Sequence, residues 1–179
     1  MKDPSTDHSS PRALSPPDGE VAVISDFLIK EAVEVSRRSS RRRVILPFHT
    51  QSDDSLHRML NAIQPLSYIQ PHRHASPPKA ESFIVLRGAI CFITFSESGE
   101  VDGHSVLRAQ STMFGIDIKP GRYHTFFAIE DDTVLFEVKP GPYDAKTDKD
   151  FASWAPMEGS EGVAKYLEGL MSYVQKDIL

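Results

Sequence analysis

The chain has 179 residues, 40% of them hydrophobic and 25% charged, and a formal net charge of −5 at neutral pH. That length fits one ordinary domain plus an extension, and the acidic balance weighs against a general nucleic-acid binder, which needs surplus cations to meet phosphates. A single cysteine, Cys91, excludes an intramolecular disulfide framework; no apolar run reaches the roughly 20 residues of a membrane span, and the polar start lacks a signal-peptide core, so a cytoplasmic protein is expected.

In chain order, residues 1–20 carry Pro4, Pro11, Pro16 and Pro17, which break regular structure and predict a flexible arm. Ser25-Asp26 then precedes Phe27, Leu28, Ile29, Ala32, Val33 and Val35. This spacing predicts a short amphipathic helix capped at Ser25 or Asp26 and ending on Arg37 and Arg38, cations suited to the negative end of the helix dipole. Val44-Ile45-Leu46 predicts a strand. Ser52-Asp53-Asp54 followed by Leu56, Met59, Leu60 and Ile63 predicts a second short helix that Pro65 stops.

From Leu66 the texture changes to short apolar runs parted by turn residues. The runs 66–70, 82–86, 89–95, 104–109, 113–118, 124–129 and 133–138 read as strands, and their close spacing without intervening helices predicts a sandwich or barrel. Pro140-Gly141-Pro142 ends the series. Val163, Tyr166, Leu167, Leu170 and Val174 then mark a C-terminal helix beginning near Gly162.

The chemistry concentrates around His72-Arg73-His74, just after the expected strand 66–70. In an extended chain alternate side chains share a face, so His72 and His74 point the same way. Such a pair reads either as half of a transition-metal site or as two solvated surface histidines. Glu81 opens the next apolar run, Gly88 closes it, and Pro120-Gly121-Arg122-Tyr123-His124 sets a further histidine at a strand start.

Pro71-His72-Arg73-His74 with Glu81 and Gly88 resembles the first cupin motif, and Pro120-Gly121-Arg122-Tyr123-His124 resembles the second. The resemblance implies a mostly β fold, a cupin jelly-roll barrel with N-terminal helices and a C-terminal helix. It also implies one divalent transition metal (Zn, Fe, Mn, Ni or Co) held by His72, His74, Glu81 and His124. Six residues separate His74 from Glu81, more than the family motif has, and they include Pro77-Pro78-Lys79. Over residues 37–158 the chain is also similar to the WbuC-type cupin-fold metalloproteins. The stretches carrying that likeness are Arg41-Arg42-Arg43, Leu60 to Pro65, Tyr68 to His74, Phe136 to Asp144, and Thr147 through Trp154-Ala155-Pro156. It implies an O-antigen polysaccharide context, while an N-terminal arm around a cupin barrel implies a homodimer.

The expected organisation is therefore an arm at 1–20, a helical extension packed on the barrel at 21–65, the barrel at 66–142, and a C-terminal segment with helix at 143–179. Further candidates for contact with a small-molecule ligand are Tyr68, Gln70, Phe126, His49 and Glu137. Tyr68 and Gln70 fall on the ligand face by alternation, or else simply fill the barrel. Phe126 reads as a pocket wall. Glu137 shares a strand face with Lys139, as an inward acid–base pair or a solvated outer one. His49 reads as a residue of the barrel mouth or of the surface. The run Arg37 to Arg43 lacks interleaved aromatics and reads as a solvated helix end, a dimer contact or an anion site rather than a nucleic-acid site. Two functions stand: a metal-dependent enzyme acting on a small polar or carbohydrate-related molecule, or a non-catalytic ligand-binding module with a structural metal.

Overall fold

The structure, a computed structural model, describes residues 11–178. Its elements are α1 (Asp26–Arg38), β1 (Arg43–Pro47), β2 (Leu56–Ile63), β3 (His72–Arg73), β4 (Glu81–Arg87), β5 (Ala89–Phe95), β6 (Val101–Arg108), β7 (Gly115–Ile118), β8 (Tyr123–Ala128), β9 (Thr133–Pro140), β10 (Asp150–Phe151) and α2 (Val163–Ile178). They form two five-stranded sheets, ordered β1-β2-β9-β4-β7 and β10-β3-β8-β5-β6. All strand pairings between these elements are antiparallel. Without the flanking β1 and β10, the orders 2-9-4-7 and 3-8-5-6 are those of a jelly roll, the cupin fold. The described strands stay in two facing sheets and do not close into one ring.

Alternation sends successive side chains of each strand to different apolar layers. Between the sheets lie Ile63, Phe83, Val85, Ile90, Phe92, Leu107, Phe126 and Leu135. Outside the first sheet, Ala32 and Val33 of α1 pack on Val44, Leu46, Leu60, Ala62 and Val134. Outside the second, Leu167, Leu170 and Val174 of α2 cover Cys91, Ile93, Phe95 and Phe127. The order through the molecule is helix, sheet, sheet, helix.

This layering explains where the expectations fail. Residues 56–63 are strand, not a second N-terminal helix. With α1 on one side and the interior on the other, both faces of β2 are apolar, so its hydrophobic residues imitate helical spacing. The first sheet accordingly starts at residue 43, well before 66. Residues 66–70 form no strand, because Leu66 takes φ +67° and Ser67 N–H closes a turn on the Gln64 carbonyl at 3.2 Å. The short strands β3 and β10 were not expected. Ser25 occupies the cap position of α1 without a side-chain hydrogen bond. Of the expected arm, residues 1–10 lie outside the described residues. Residues 12–14 run along β1, with Leu14 N–H donating to the Ile45 carbonyl at 2.8 Å. No helix among the described residues is long and apolar enough to cross a membrane.

Candidate metal centre

Two sheets supply the side chains that meet between them. His72 of β3 lies directly opposite His124 of β8, and cross-strand partners share a face. His74 follows β3 by one residue. Glu81 begins β4 in the opposite sheet and reaches across. All four are buried, at 1–4% exposure, and their candidate ligand atoms lie within 4.8 Å of one another. Glu81 Oε2 stands 3.2 Å from His124 Nε2 and 3.5 Å from His74 Nε2.

Each imidazole is oriented from behind. His72 Nδ1 donates to the Gln70 carbonyl at 3.0 Å and His124 Nδ1 to the Arg122 carbonyl at 2.9 Å. His74 Nδ1 makes a close contact with the Asp148 carbonyl. A proton on each Nδ1 leaves Nε2 as a lone pair turned inward. His74 Nε2 is buried with no hydrogen-bond partner. Burial, followed by the nearby Lys149 and His124, holds His72 well below the usual histidine range, so its ring is neutral. Burial pushes the Glu81 carboxyl up, but its contacts with His124 and His74 outweigh burial and hold it well below the usual carboxylate range. Three imidazole lone pairs and a carboxylate converging without a donor among them suit a cation. The residues present therefore fit one first-row metal ion.

The longer gap before Glu81 is absorbed by a tight excursion. An isolated bridge joins Ala75 to Pro78, and Lys79 N–H returns to the His74 carbonyl at 3.4 Å. Lys79 turns inward, only 4% exposed, and donates to Asp148 Oδ1 at 2.9 Å and to the Pro142 carbonyl at 2.6 Å. Lys139 donates to the other Asp148 oxygen at 3.0 Å. Burial pushes the Asp148 carboxyl up, yet Lys139 and Lys79 outweigh it and hold it below the usual carboxylate range.

A cavity of about 540 Å3 opens beside these residues, bordered by His72, Glu81, Gln70, Phe126, Glu137 and His49 among others. Gln70 lines it while its amide donates to the Ala152 carbonyl at 3.2 Å. Phe126 is a wall, edge-on to Phe83 at 5.1 Å. His49 stacks on His57 at 3.9 Å. Glu137 and Lys139 point inward, 3.7 Å apart, and Asn61 Nδ2 donates to Glu137 Oε2 at 2.6 Å. Burial, then the charge of Glu81, pushes the Glu137 carboxyl up to about 8. Tyr68 is the exception. It belongs to the outer layer under α2, donates to the Pro156 carbonyl at 2.7 Å and does not border the cavity. The alternation that placed it on the ligand face presumed a strand that does not form.

Sequence reasoning missed Asn61, His57, Lys79, Asp148 and Lys149, all brought here by the fold. Inward polar residues among apolar neighbours on β2 and β9 were the available signal for Asn61 and His57, once β2 is read as a strand. The basic run is taken up within the chain: Arg37 Nε holds Asp132 at 2.8 Å, while Arg41 and Arg43 each hold Glu158 at 2.7 Å.

A family model described as a domain of unknown function (DUF6016) matches residues 24–107, a span that includes His72, His74 and Glu81 but not His124. No curated protein matches the chain. Among solved structures, the chain is similar to CapF bound to 3-isopropenyl-tropolone, with 18% identity and TM-score 0.49. That match covers 61% of this chain and 30% of CapF, so the chain spans under a third of its length. An L-ribose isomerase of Cellulomonas parahominis with L-psicose matches at 16% identity and TM-score 0.48, covering 63% of this chain and 70% of the isomerase. The cupin domain of Schizosaccharomyces pombe Cnp3 matches at 12% identity and TM-score 0.42, covering 55% of this chain and 64% of that domain.

Proposed function

We propose that this chain is a metal-binding cupin in which His72, His74, Glu81 and His124 hold one divalent transition-metal ion, and that it acts there on a small polar molecule. The observation that carries this is the convergence of three inward Nε2 atoms and one carboxylate within 4.8 Å, each Nδ1 being occupied by a backbone carbonyl. A bound ion of this kind polarises a carbonyl or activates water. The chain's own residues would do the rest: Gln70 and Asn61 orient a ligand, Phe126 limits its bulk, and Glu137 holds a proton near neutral pH.

The similarity to WbuC-type proteins supports activated sugars as the first substrates to screen. The second reading is a binding module whose metal is structural. It draws on the burial of all four donors and on their position spanning the two sheets. The homodimer and the cytoplasmic location remain parts of this proposal, supported by the exposed apolar Val21, Val23 and Phe27 for the former and by the lone cysteine for the latter.

Native mass spectrometry and elemental analysis of protein purified without added metal test the reading. One ion per chain is expected, with near-complete loss in His124→Ala. A wild-type chain that stays metal-free even after soaking in Zn, Mn, Fe, Ni and Co salts would sink it. Metal-dependent turnover of a sugar nucleotide, lost in His72→Ala with the fold intact, decides for the enzyme. Loss of thermal stability on chelation without any ligand binding decides for the module.

A further inference from the structure

Lys149 is a cation in the cavity wall that the reading above leaves unused. It lies in the segment that runs Asp148 to Phe151 beside β3. Asp150 pairs with Arg73 and Phe151 with His72. Phe151 lies beside His72, their rings 6.0 Å apart, and Lys149 immediately precedes that two-residue strand. It borders the cavity together with His72 and Glu81.

Its ammonium has no hydrogen bond or ion pair among the described residues. The neighbouring carboxylates are all engaged elsewhere. Glu81 faces His124 and His74, and Glu137 takes the Asn61 amide and lies 3.7 Å from Lys139. Asp148 is shared by Lys79 and Lys139, and Glu158 by Arg41 and Arg43. A half-buried ammonium with no carboxylate in hydrogen-bond contact is costly unless an anion meets it. Burial and the nearby Lys139 already push Lys149 below the usual lysine range, although Glu81 and Glu137 oppose them.

We infer that Lys149 is an anion-recognising residue of this cavity, and that the ligand served by the site is a small molecule carrying a carboxylate or phosphate group. The inference rests on the cavity being the ligand site proposed above. A metal beside Lys149 would add positive charge and favour the same ligand class.

Isothermal titration of the full chain, metal-loaded and metal-free in parallel, tests this with glycolate, inorganic phosphate and neutral ethylene glycol. Saturable one-to-one binding of at least one anion is expected, with ethylene glycol binding at least tenfold more weakly. Glycolate alone would point to a carboxylate ligand, and phosphate alone to a phosphoryl ligand. Lys149→Gln should weaken anion binding tenfold or more at unchanged metal content, whereas Lys149→Arg should keep it within a few-fold. Without any variant, a saturating anion should protect Lys149 from reductive methylation followed by peptide mass spectrometry. Binding of neither anion by the wild type, equal binding by Lys149→Gln, or methylation indifferent to anion overturns the inference. Anion binding through Lys149 in a chain that takes up no metal would uphold the inference while removing the metal reading. A metal-loaded chain indifferent to Lys149→Gln would do the reverse.

Discussion

At the scale of single residues, Asp148 joins the histidine cluster to the buried lysines, because its carbonyl accepts the hydrogen bond of His74 Nδ1 while its carboxylate holds Lys79 and Lys139. Neutralising the carboxylate leaves two buried ammonium groups without the counter-charge they share. Asp148→Asn is expected to cost about 3 kcal/mol in urea unfolding, the scale for breaking a buried pair. It should also weaken metal affinity by roughly tenfold, as loss of an outer-shell support does. Unchanged values for both would show that the lysines find other partners. The histidines were legible because His-X-His and a post-turn His carry their geometry within a few residues. Asp148 and Lys79 were not, since their partnership spans 69 positions and looks in the sequence like two more solvated charges.

At the scale of elements, the tight β4–β5 connection depends on Gly88. It takes φ +72°, and a Cβ there would meet Thr133 Oγ1 at 2.3 Å and Thr133 Cα at 2.9 Å. Thr133 cannot swing aside freely, because its hydroxyl bonds the Ala89 and Glu130 carbonyls at 3.1 and 2.8 Å. Gly88→Ala should therefore destabilise by about 2 kcal/mol, measured by thermal or urea unfolding, from the left-handed conformation and the overpacking together. Because the turn lies at the far end of β4 from Glu81, the metal content of the folded fraction should not change. Strands with turn residues at both ends, such as β4, β5 and β9, were legible. The strand β2 was not, because burial on both faces erases the alternation that identifies a strand. The expected strand 66–70 fails for another reason: a leucine in the left-handed region carries no signal in the sequence.

At the scale of the whole molecule, the outer helix α1 is tied to the barrel by more than apolar contact. Arg37 at its end holds Asp132 at the entrance to β9, and Gln64 donates to the same carboxylate at 3.1 Å. The Arg37 hydrogen bond, which outweighs burial, lowers the Asp132 carboxyl below its ordinary value of 3.8. A lowered folded-state value means stability that is present above the unfolded value and disappears as pH falls through the folded one. Asp132→Asn is thus expected to cost about 1 kcal/mol at pH 7, a modest figure because solvent screens the half-exposed Arg37. The difference from wild type should vanish below the lowered Asp132 value, at a pH under 3.8, in unfolding curves taken across pH. A constant difference from pH 7 to 2 would place the effect in packing instead.

The sequence by itself determined the fold class and pointed to all four converging residues, because turn-bounded apolar runs and short motifs are local patterns. Only the tertiary structure decided that Glu81 crosses from one sheet to the other, that Tyr68 faces α2, and that Lys79, Asp148 and Lys149 surround the site. Those outcomes depend on which face of each strand meets which layer. That choice is made by burial of whole elements against one another, and no window of the chain contains it.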